Sequence, residues 1–409
     1  MKKLLQINTV VNYGSTGHIV EAIGEEVLKH GWESYIAYGR KPRGSKSKLI
    51  KIGNTTSVLW HYIQREFFDR SALASIQATK RLLKKIDEIN PDIIHLHNLH
   101  GCYLNIKVLF KYLAQKNIPI VFTLHDCWSM TGHCGYFTEI GCNKWKTECS
   151  RCPQIEKERF WPLILDRSTS NFDLKKKLFT SINNLTLIPV SHWLEGVVKG
   201  SFFKEKKIQV ICNGVDTFVF EPKSNIEEIK QKYNIPSKII LLGVASVWEK
   251  RKGLDDFLLL SKKISDDIVI VLVGLSKKQI SKLPAKIIGI ERTESKEELA
   301  QLYSLADLFI NPSVEETFGL TTVEAMACGT PVVVYNSTAS PELVTTETGF
   351  VVEPHDIDDV KRCVDVVRQV SKARYSLACR NRVVKYFNQK NQNEAYYSLY
   401  KEILEGTIK

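Results

Sequence analysis

Short β-branched runs alternate with amphipathic stretches along almost the whole chain. In the first half the runs fall at Lys3–Thr9, Ser34–Tyr38, Asp92–His97, Pro119–Leu124, Leu185–Val190 and Ile208–Cys212, and each predicts a buried strand. Helical periodicity separates most of them, for example over Gly17–His30, Ala74–Ile89 and Tyr103–Gln115. The rhythm breaks at NGVDTFVFEPKSN (213–225), where Gly, Asp and Pro mark a loop. It restarts with Ile239–Val244, Ile268–Val273, Lys286–Ile290, Leu308–Pro312 and Val332–Tyr335. Ser295 followed by Glu298 forms a capping box that opens a helix over Lys296–Leu305. From Asp356 onward the pattern predicts two or three helices and no strand.

Strand, helix, strand repetition predicts parallel sheets with helices on both faces. The expected fold class is α/β, with two consecutive doubly wound, Rossmann-like domains facing a cleft and a helical tail. The predicted boundaries are 1–213, 214–390 and 391–409. Open sheets of this kind bind ligands beyond the carboxyl ends of their strands. The residues that follow those strand ends therefore carry the interest.

Length agrees with two domains, since 409 residues exceed one ordinary core. The longest apolar run, Ile268–Val273, is too short to cross a bilayer. The opening MKKLLQINTVV imitates a signal peptide, but Gln6 and Asn8 interrupt it and no small-residue cleavage site follows. A first buried strand and a cytoplasmic protein are expected. Net charge is +12, with basic clusters over 40–51, 80–85, 175–177 and 204–207. Such a surface suits phosphorylated substrates, a membrane face or nucleic acid, and it equally suits scattered solvated lysines.

Four stretches at predicted strand ends carry candidate chemistry. In NYGSTGHI, Gly14 and Gly17 flank Ser15 and Thr16 just before a helix, so backbone N–H groups there can meet a phosphate. In TLHDCWSMTGHC, His125 and Asp126 stand where a cleft-lining pair is expected. In GVASVWEKRKGLDDF, Lys250, Arg251 and Lys252 precede Gly253 at a helix start, an arrangement that suits a diphosphate. In NPSVEETFGLTTVEAMACGTPVV, Glu316 precedes a helix opened by Gly319 and Thr321, and Glu324 lies about one turn in. The N–H groups of Gly319, Leu320 and Thr321 can hold phosphate oxygens, while acids beside them suit sugar or ribose hydroxyls.

With these motifs in hand, the sequence resembles the retaining GT-B glycosyltransferases of family 4 over nearly its whole length. EETFGLTTVE fits that family's paired-glutamate motif, and RKG, NGVD, LYSLADLFINPS and EAMACGTPVV occur in its order and spacing. The resemblance implies a nucleotide-diphosphate sugar donor on the second domain and an acceptor on the first. By it, Glu324 binds ribose hydroxyls, Glu316 contacts the donor sugar and Lys252 neutralises the diphosphate that Gly319, Leu320 and Thr321 cradle. His125 matches the histidine beside the transferred sugar, Gly14 and Gly17 match the first-domain glycine loop, and the last helix returns to the first domain. No catalytic metal is implied. One departure stands out: the arginine that usually precedes the lysine is replaced by Ala245, Ser246 and Val247. Arg251 is the nearest substitute for its charge, and Arg292 is a more distant one.

A cysteine cluster lies within the predicted insertion 126–165. Cys134, Cys142, Cys149 and Cys152 are spaced to suit a structural zinc ion, with His133 as a spare ligand. An iron–sulfur cluster and free thiols are the other readings, and a cytosolic setting disfavours disulfides. Its expected role is to staple an insertion that borders the acceptor. The stretch 57–86 mixes Trp60, Tyr62, Phe67 and Phe68 with basic residues and suits either a membrane surface or packing on the first domain.

The expected function is transfer of one sugar from a UDP- or GDP-sugar to a saccharide acceptor on a polyprenyl diphosphate carrier. Exopolysaccharide, capsule or O-antigen assembly is the setting such enzymes commonly serve. The rival readings are a GT-B phosphorylase or epimerase, and a metal-stabilised nucleic-acid-binding protein. Dispersed basic residues and the absence of an aromatic nucleic-acid motif argue against the last.

Overall fold

The computed structural model of the protein describes residues 1–158 and 165–406. Residues 159–164 of the predicted insertion and the last three residues of the predicted tail lie outside the described residues. The chain divides into two compact units, one formed by Met1–Ile211 with the segment from Asn393 onward, the other by Cys212–Gln392.

The first unit is built on seven strands: β1 (Lys3–Asn8), β2 (Glu33–Tyr38), β3 (Lys48–Lys51), β4 (Ile93–Leu96), β5 (Ile120–Leu124), β6 (Leu185–Pro189) and β7 (Lys207–Ile208). Their order is β3-β2-β1-β4-β5-β6-β7, and every pairing is parallel. The second unit holds β8 (Ile239–Val244), β9 (Ile268–Val273), β10 (Ile287–Ile290), β11 (Leu308–Asn311), β12 (Val332–Tyr335) and β13 (Gly349–Val352). These are again parallel, ordered β10-β9-β8-β11-β12-β13. Both sheets are doubly wound and reverse direction once, between β1 and β4 and between β8 and β11. Those switch points are where such sheets bind ligands.

The central strands are buried on both faces, which is why they read as near-continuous apolar runs: all six residues of β9, IVIVLV, are buried. Two strands escape the sequence pattern. β3 is an edge strand whose Lys48 and Lys51 are exposed, and charge on an edge hides the strand period. β13 begins at Gly349 and spans four residues, too few to show a period. The run Ile208–Cys212 contributes only the two-residue β7 to the sheet.

Beyond β13 lie three helices, Ile357–Val370, Ala373–Tyr386 and Gln389–Glu405. The last one buries Tyr396, Leu399 and Tyr400 completely, in one cluster with Leu4, Ile23, Trp32, Ile93 and Val121. Each such side chain removed from water contributes about 2–3 kcal/mol, which ties the chain's end to the first unit. The two tyrosine hydroxyls are also satisfied. Tyr400 Oη lies 2.6 Å from His95 Nδ1, and Tyr396 Oη lies 2.8 Å from Thr123 Oγ1.

The helix Thr55–Phe68, capped by Asn54, inverts the usual burial pattern. It buries His61, Gln64 and Glu66, while Leu59 and Trp60 are each 59% exposed and Tyr62 and Phe67 also face water. Among the described residues no helix is long and apolar enough to cross a membrane.

Candidate active site

In the second unit the chain leaving β8 forms a single 3-10 turn, Lys250–Lys252, closed by Gly253 at φ 73°. A Cβ at Gly253 would stand 2.5 Å from the carbonyl oxygen of Pro312, so only glycine lets this turn dock on the segment after β11. Val314 N–H donates to Arg251 O at 3.0 Å and fixes that docking. The result brings Lys252 to Glu316, and Lys252 Nζ pairs with Glu316 Oε1. Glu316 is held by its backbone too: its N–H donates to Thr338 Oγ1 at 2.9 Å and its carbonyl accepts from Ala339 N–H at 3.2 Å. Arg251 turns to structural partners, with Nε donating to Glu249 Oε2 at 3.0 Å and Nη1 donating to Glu315 O at 3.1 Å. Arg292 is exposed beyond β10.

Gly319, at φ 104°, is the N-cap of the helix Leu320–Ala327. The first N–H groups of a helix have no intrahelical acceptor, so those of Leu320 and Thr321 stand at an anion-binding end. Asn311 at the end of β11 donates from Nδ2 to Thr322 Oγ1 at 3.0 Å and sets the helix against its strand. Glu324 follows on the same helix, half-buried, with Tyr303 Oη donating to its Oε2 at 3.0 Å. Burial pushes the Glu324 carboxyl up to about 7, and the Tyr303 hydrogen bond opposes this only in part. The loops after β8 and β11 thus gather one ammonium, two carboxylates and a helix N-terminus at the switch point of this sheet.

In the first unit the helix after β1 begins at Gly14 itself, so Gly14 and Gly17 form its first turn rather than a loop before it. Beside that turn Lys41 and Arg43 sit over the Tyr13 ring, 4.6 and 4.9 Å from its centroid. His125 follows β5, and its Nε2 lies 3.2 Å from His97 Nδ1. His97 Nε2 lies 3.2 Å from Gln6 Oε1, and Gln6 Nε2 donates to Val20 O at 2.8 Å. With the Gln6 carbonyl oxygen facing His97, His97 donates from Nε2 and accepts at Nδ1. His125 then donates from Nε2. Burial holds His125 at about 4 and His97 well below 6.5, so both rings are neutral at pH 7. Asn98, His100, His125, Asp126, Trp128 and Ser129 line a small cavity in this unit.

None of the four candidate cysteines is in a disulfide. Cys149 and Cys152 are buried, and Cys134 and Cys142 are partly buried. Among the described residues the three ligand-bearing side chains whose atoms lie within 4.8 Å of one another are Asp69, His133 and Asp166.

Sequence reasoning missed Tyr303, Thr338 and His97. Tyr303 reads as an apolar-face aromatic of the helix Lys296–Leu305, and only the fold brings its hydroxyl to Glu324. For His97 a signal was present in the histidine-rich run HLHNLHG, which straddles the end of β4.

Two family models match this chain, Glycosyltransferase Family 4 over residues 17–218 and Glycosyl transferases group 1 over residues 225–380. The chain is a glycosyltransferase. It is 22% identical over 370 residues to WcaC of Escherichia coli (strain K12), named for colanic acid biosynthesis glycosyl transfer, covering 87% of this chain and 88% of that protein. It is 30% identical over 241 residues to the serotype-specific mannosyltransferase WbdA of Escherichia coli, covering 54% of this chain and 29% of WbdA. The glycosyltransferase also shares the fold of sucrose-phosphate synthase from Thermosynechococcus elongatus, with TM-score 0.74 and 17% identity over 99% of this chain and 100% of that one. Anabaena HepE, solved in complex with UDP and glucose, superimposes with TM-score 0.70 and 15% identity over 98% of this chain and 100% of its own.

Proposed function

We propose that this glycosyltransferase moves a sugar from a UDP- or GDP-sugar to a saccharide acceptor with retention of anomeric configuration. The acceptor is a polyprenyl-diphosphate-linked saccharide, and the setting is exopolysaccharide, capsule or O-antigen assembly. The observation that carries the donor site is the meeting of Lys252 and Glu316 beside the N-terminus of the helix that bears Glu324. HepE, which shares the fold, is solved with UDP and glucose, and WcaC is named for a surface polysaccharide.

Glycosyl transfer breaks the bond between the anomeric carbon and a diphosphate through an oxocarbenium-like state, so negative charge grows on the departing phosphates. Lys252 and the N–H groups of Gly319, Leu320 and Thr321 meet that charge in place. Before donor binds, Glu316 neutralises Lys252; the diphosphate takes over the ammonium, and Glu316 turns to the hydroxyls of the sugar. Glu324, held by Tyr303, accepts from the ribose hydroxyls. Arg251 braces the turn that presents Lys252, so the missing family arginine is offset by the helix end and Lys252. In the first unit Gly14 and Gly17 open a second helix N-terminus beside Lys41 and Arg43, and His125, held neutral by burial, stands beside the transferred sugar. The apolar face of Thr55–Phe68 supports contact with a membrane surface, where a lipid-linked acceptor resides.

The test is a product assay with UDP- and GDP-sugars and short polyprenyl-diphosphate saccharides, read by nucleotide release and by NMR of the new anomeric centre. Release coupled to a retained glycosidic bond supports the reading. Release of free sugar 1-phosphate, or an epimerised nucleotide sugar, moves the phosphorylase or epimerase reading ahead.

A further inference from the structure

A buried polar atom without a hydrogen-bond partner is costly, so folded chains leave few of them. Among the described residues eight side-chain atoms are buried in this way, and three of the eight belong to residues of one cavity. They are Asn98 Oδ1, Trp128 Nε1 and Ser129 Oγ. The cavity lies in the first unit, among the residues that follow the neighbouring strands β4 and β5. That is the carboxyl end of the sheet, where open sheets of this kind bind ligands.

The other polar side chains that line the cavity already have partners. His97 uses both ring nitrogens, one on His125 Nε2 and the other on Gln6 Oε1. Thr123 Oγ1 lies 2.8 Å from His95 Nε2 and 2.8 Å from Tyr396 Oη. Asp126 Oδ1 accepts from Trp128 N–H at 2.8 Å, and Asp126 Oδ2 lies 3.3 Å from His100 Nε2.

The three unpaired groups are also fixed in place. The Asn98 carbonyl accepts from Thr9 Oγ1 at 3.0 Å and from Tyr103 Oη at 2.8 Å. Trp128 and Ser129 belong to one 3-10 turn, Trp128–Met130. The Trp128 ring stacks on His100 at 5.1 Å between centroids, and Lys175 Nζ stands 4.0 Å from the Trp128 centroid while donating to Trp128 O at 2.5 Å. A ligand therefore meets these groups without having to order them.

Their chemistry selects the ligand. Trp128 Nε1 only donates, Asn98 Oδ1 only accepts, and Ser129 Oγ does either. A hydroxyl group donates once and accepts twice, so it satisfies all three together. A carboxylate or phosphate oxygen has no hydrogen for Asn98 and would face the Asp126 carboxylate, and an ammonium cannot accept from Trp128. The cavity volume of about 10 Å3 holds one oxygen-sized group. We infer that this cavity binds a single hydroxyl group of a saccharide, with Trp128 Nε1 and Ser129 Oγ donating to it and Asn98 Oδ1 accepting from it. The hydroxyl belongs to the transferred sugar or to the acceptor saccharide, and a sugar that lacks it leaves all three groups unpaired. The inference rests on sugar transfer as the activity and concerns the first unit alone, so it does not depend on the roles of Lys252, Glu316 and Glu324.

The test is indole N–H NMR of the full chain, with the Trp128 signal assigned among the seven tryptophans by Trp128→Phe. The titrants are UDP-glucose and GDP-mannose, each against UDP or GDP alone, and the methyl glycosides of glucose, galactose and mannose. A Trp128 signal that moves with a nucleotide sugar but not with its nucleotide assigns the hydroxyl to the transferred sugar. A signal that moves with a methyl glycoside assigns it to the acceptor. Ser129→Ala should weaken binding of that sugar about five- to tenfold. The deoxy sugar without the bound hydroxyl should lose a similar factor on the native chain and lose nothing more on Ser129→Ala. A disturbed fold would instead weaken both sugars alike. A failed donor site shows in the titrations with UDP and GDP alone, and not at Trp128. A Trp128 signal that no sugar moves overturns the proposal. So does unchanged sugar affinity in Ser129→Ala, or a long-lived water on the Trp128 indole that persists when sugar is bound.

Discussion

Replacing Glu324 with glutamine removes a charge that the ligand-free protein holds at a disadvantage. The carboxyl sits at about 7 in the fold against an ordinary 4.5, because burial penalises the anion more than the Tyr303 hydrogen bond helps it. The gap converts to a ceiling of about 3 kcal/mol. The folded state binds this proton more tightly than the unfolded chain does. The group's contribution is therefore present in full below 4.5, fades as pH rises toward about 7, and stays lost above it. Glutamine is neutral throughout and still accepts from Tyr303 through its carbonyl oxygen. The variant should gain on the native protein by about 1–3 kcal/mol between pH values of about 5 and about 8. Urea denaturation of both proteins across that window measures the difference directly. Nucleotide affinity should fall in the same variant, since it removes the anionic acceptor proposed for the ribose. A stability difference that does not change with pH, or one that shrinks as pH rises, would refute the reasoning.

Lys252→Ala should lower kcat by about 10²–10³-fold, since it removes the one side-chain cation proposed to meet the leaving diphosphate; unchanged turnover in steady-state kinetics would remove Lys252 from the mechanism. The imidazoles of His95, His97 and His125 should stay neutral at pH 6 in histidine-selective NMR, because burial depresses all three. Titration of any of them near 6.5 would break the hydrogen-bond chain argued for His125. Tyr400→Phe should cost about 1 kcal/mol in chemical denaturation by leaving His95 Nδ1 unpaired, and an unaltered midpoint would show that the tyrosine holds the last helix by packing alone.

The α/β class was legible because central parallel strands are buried on both faces. Runs such as IVIVLV therefore cannot be mistaken for half-exposed strands. Edge strands lack that signature, and β3, with Lys48 and Lys51 facing water, was invisible for that reason. At the site, the residues that follow β8 and β11 were legible one motif at a time. Their meeting was not, because the contact of Lys252 with Glu316 spans 64 positions and depends on Gly253 fitting against Pro312. Supporting residues were the hardest to see. Tyr303 and Thr338 act through single hydroxyl contacts, which leave no periodic trace in a sequence. The inverted helix Thr55–Phe68 shows the reverse limit: its pattern admitted membrane contact and packing alike, and only burial reveals that its polar residues turn inward.

The most direct test of the donor site is a thermal-shift panel of UDP, GDP, ADP and TDP on the full chain, repeated with Glu324→Ala. The account predicts that UDP or GDP selectively raises the melting temperature, and that Glu324→Ala weakens that rise. No rise with any nucleotide, from protein shown to be folded, would contradict it.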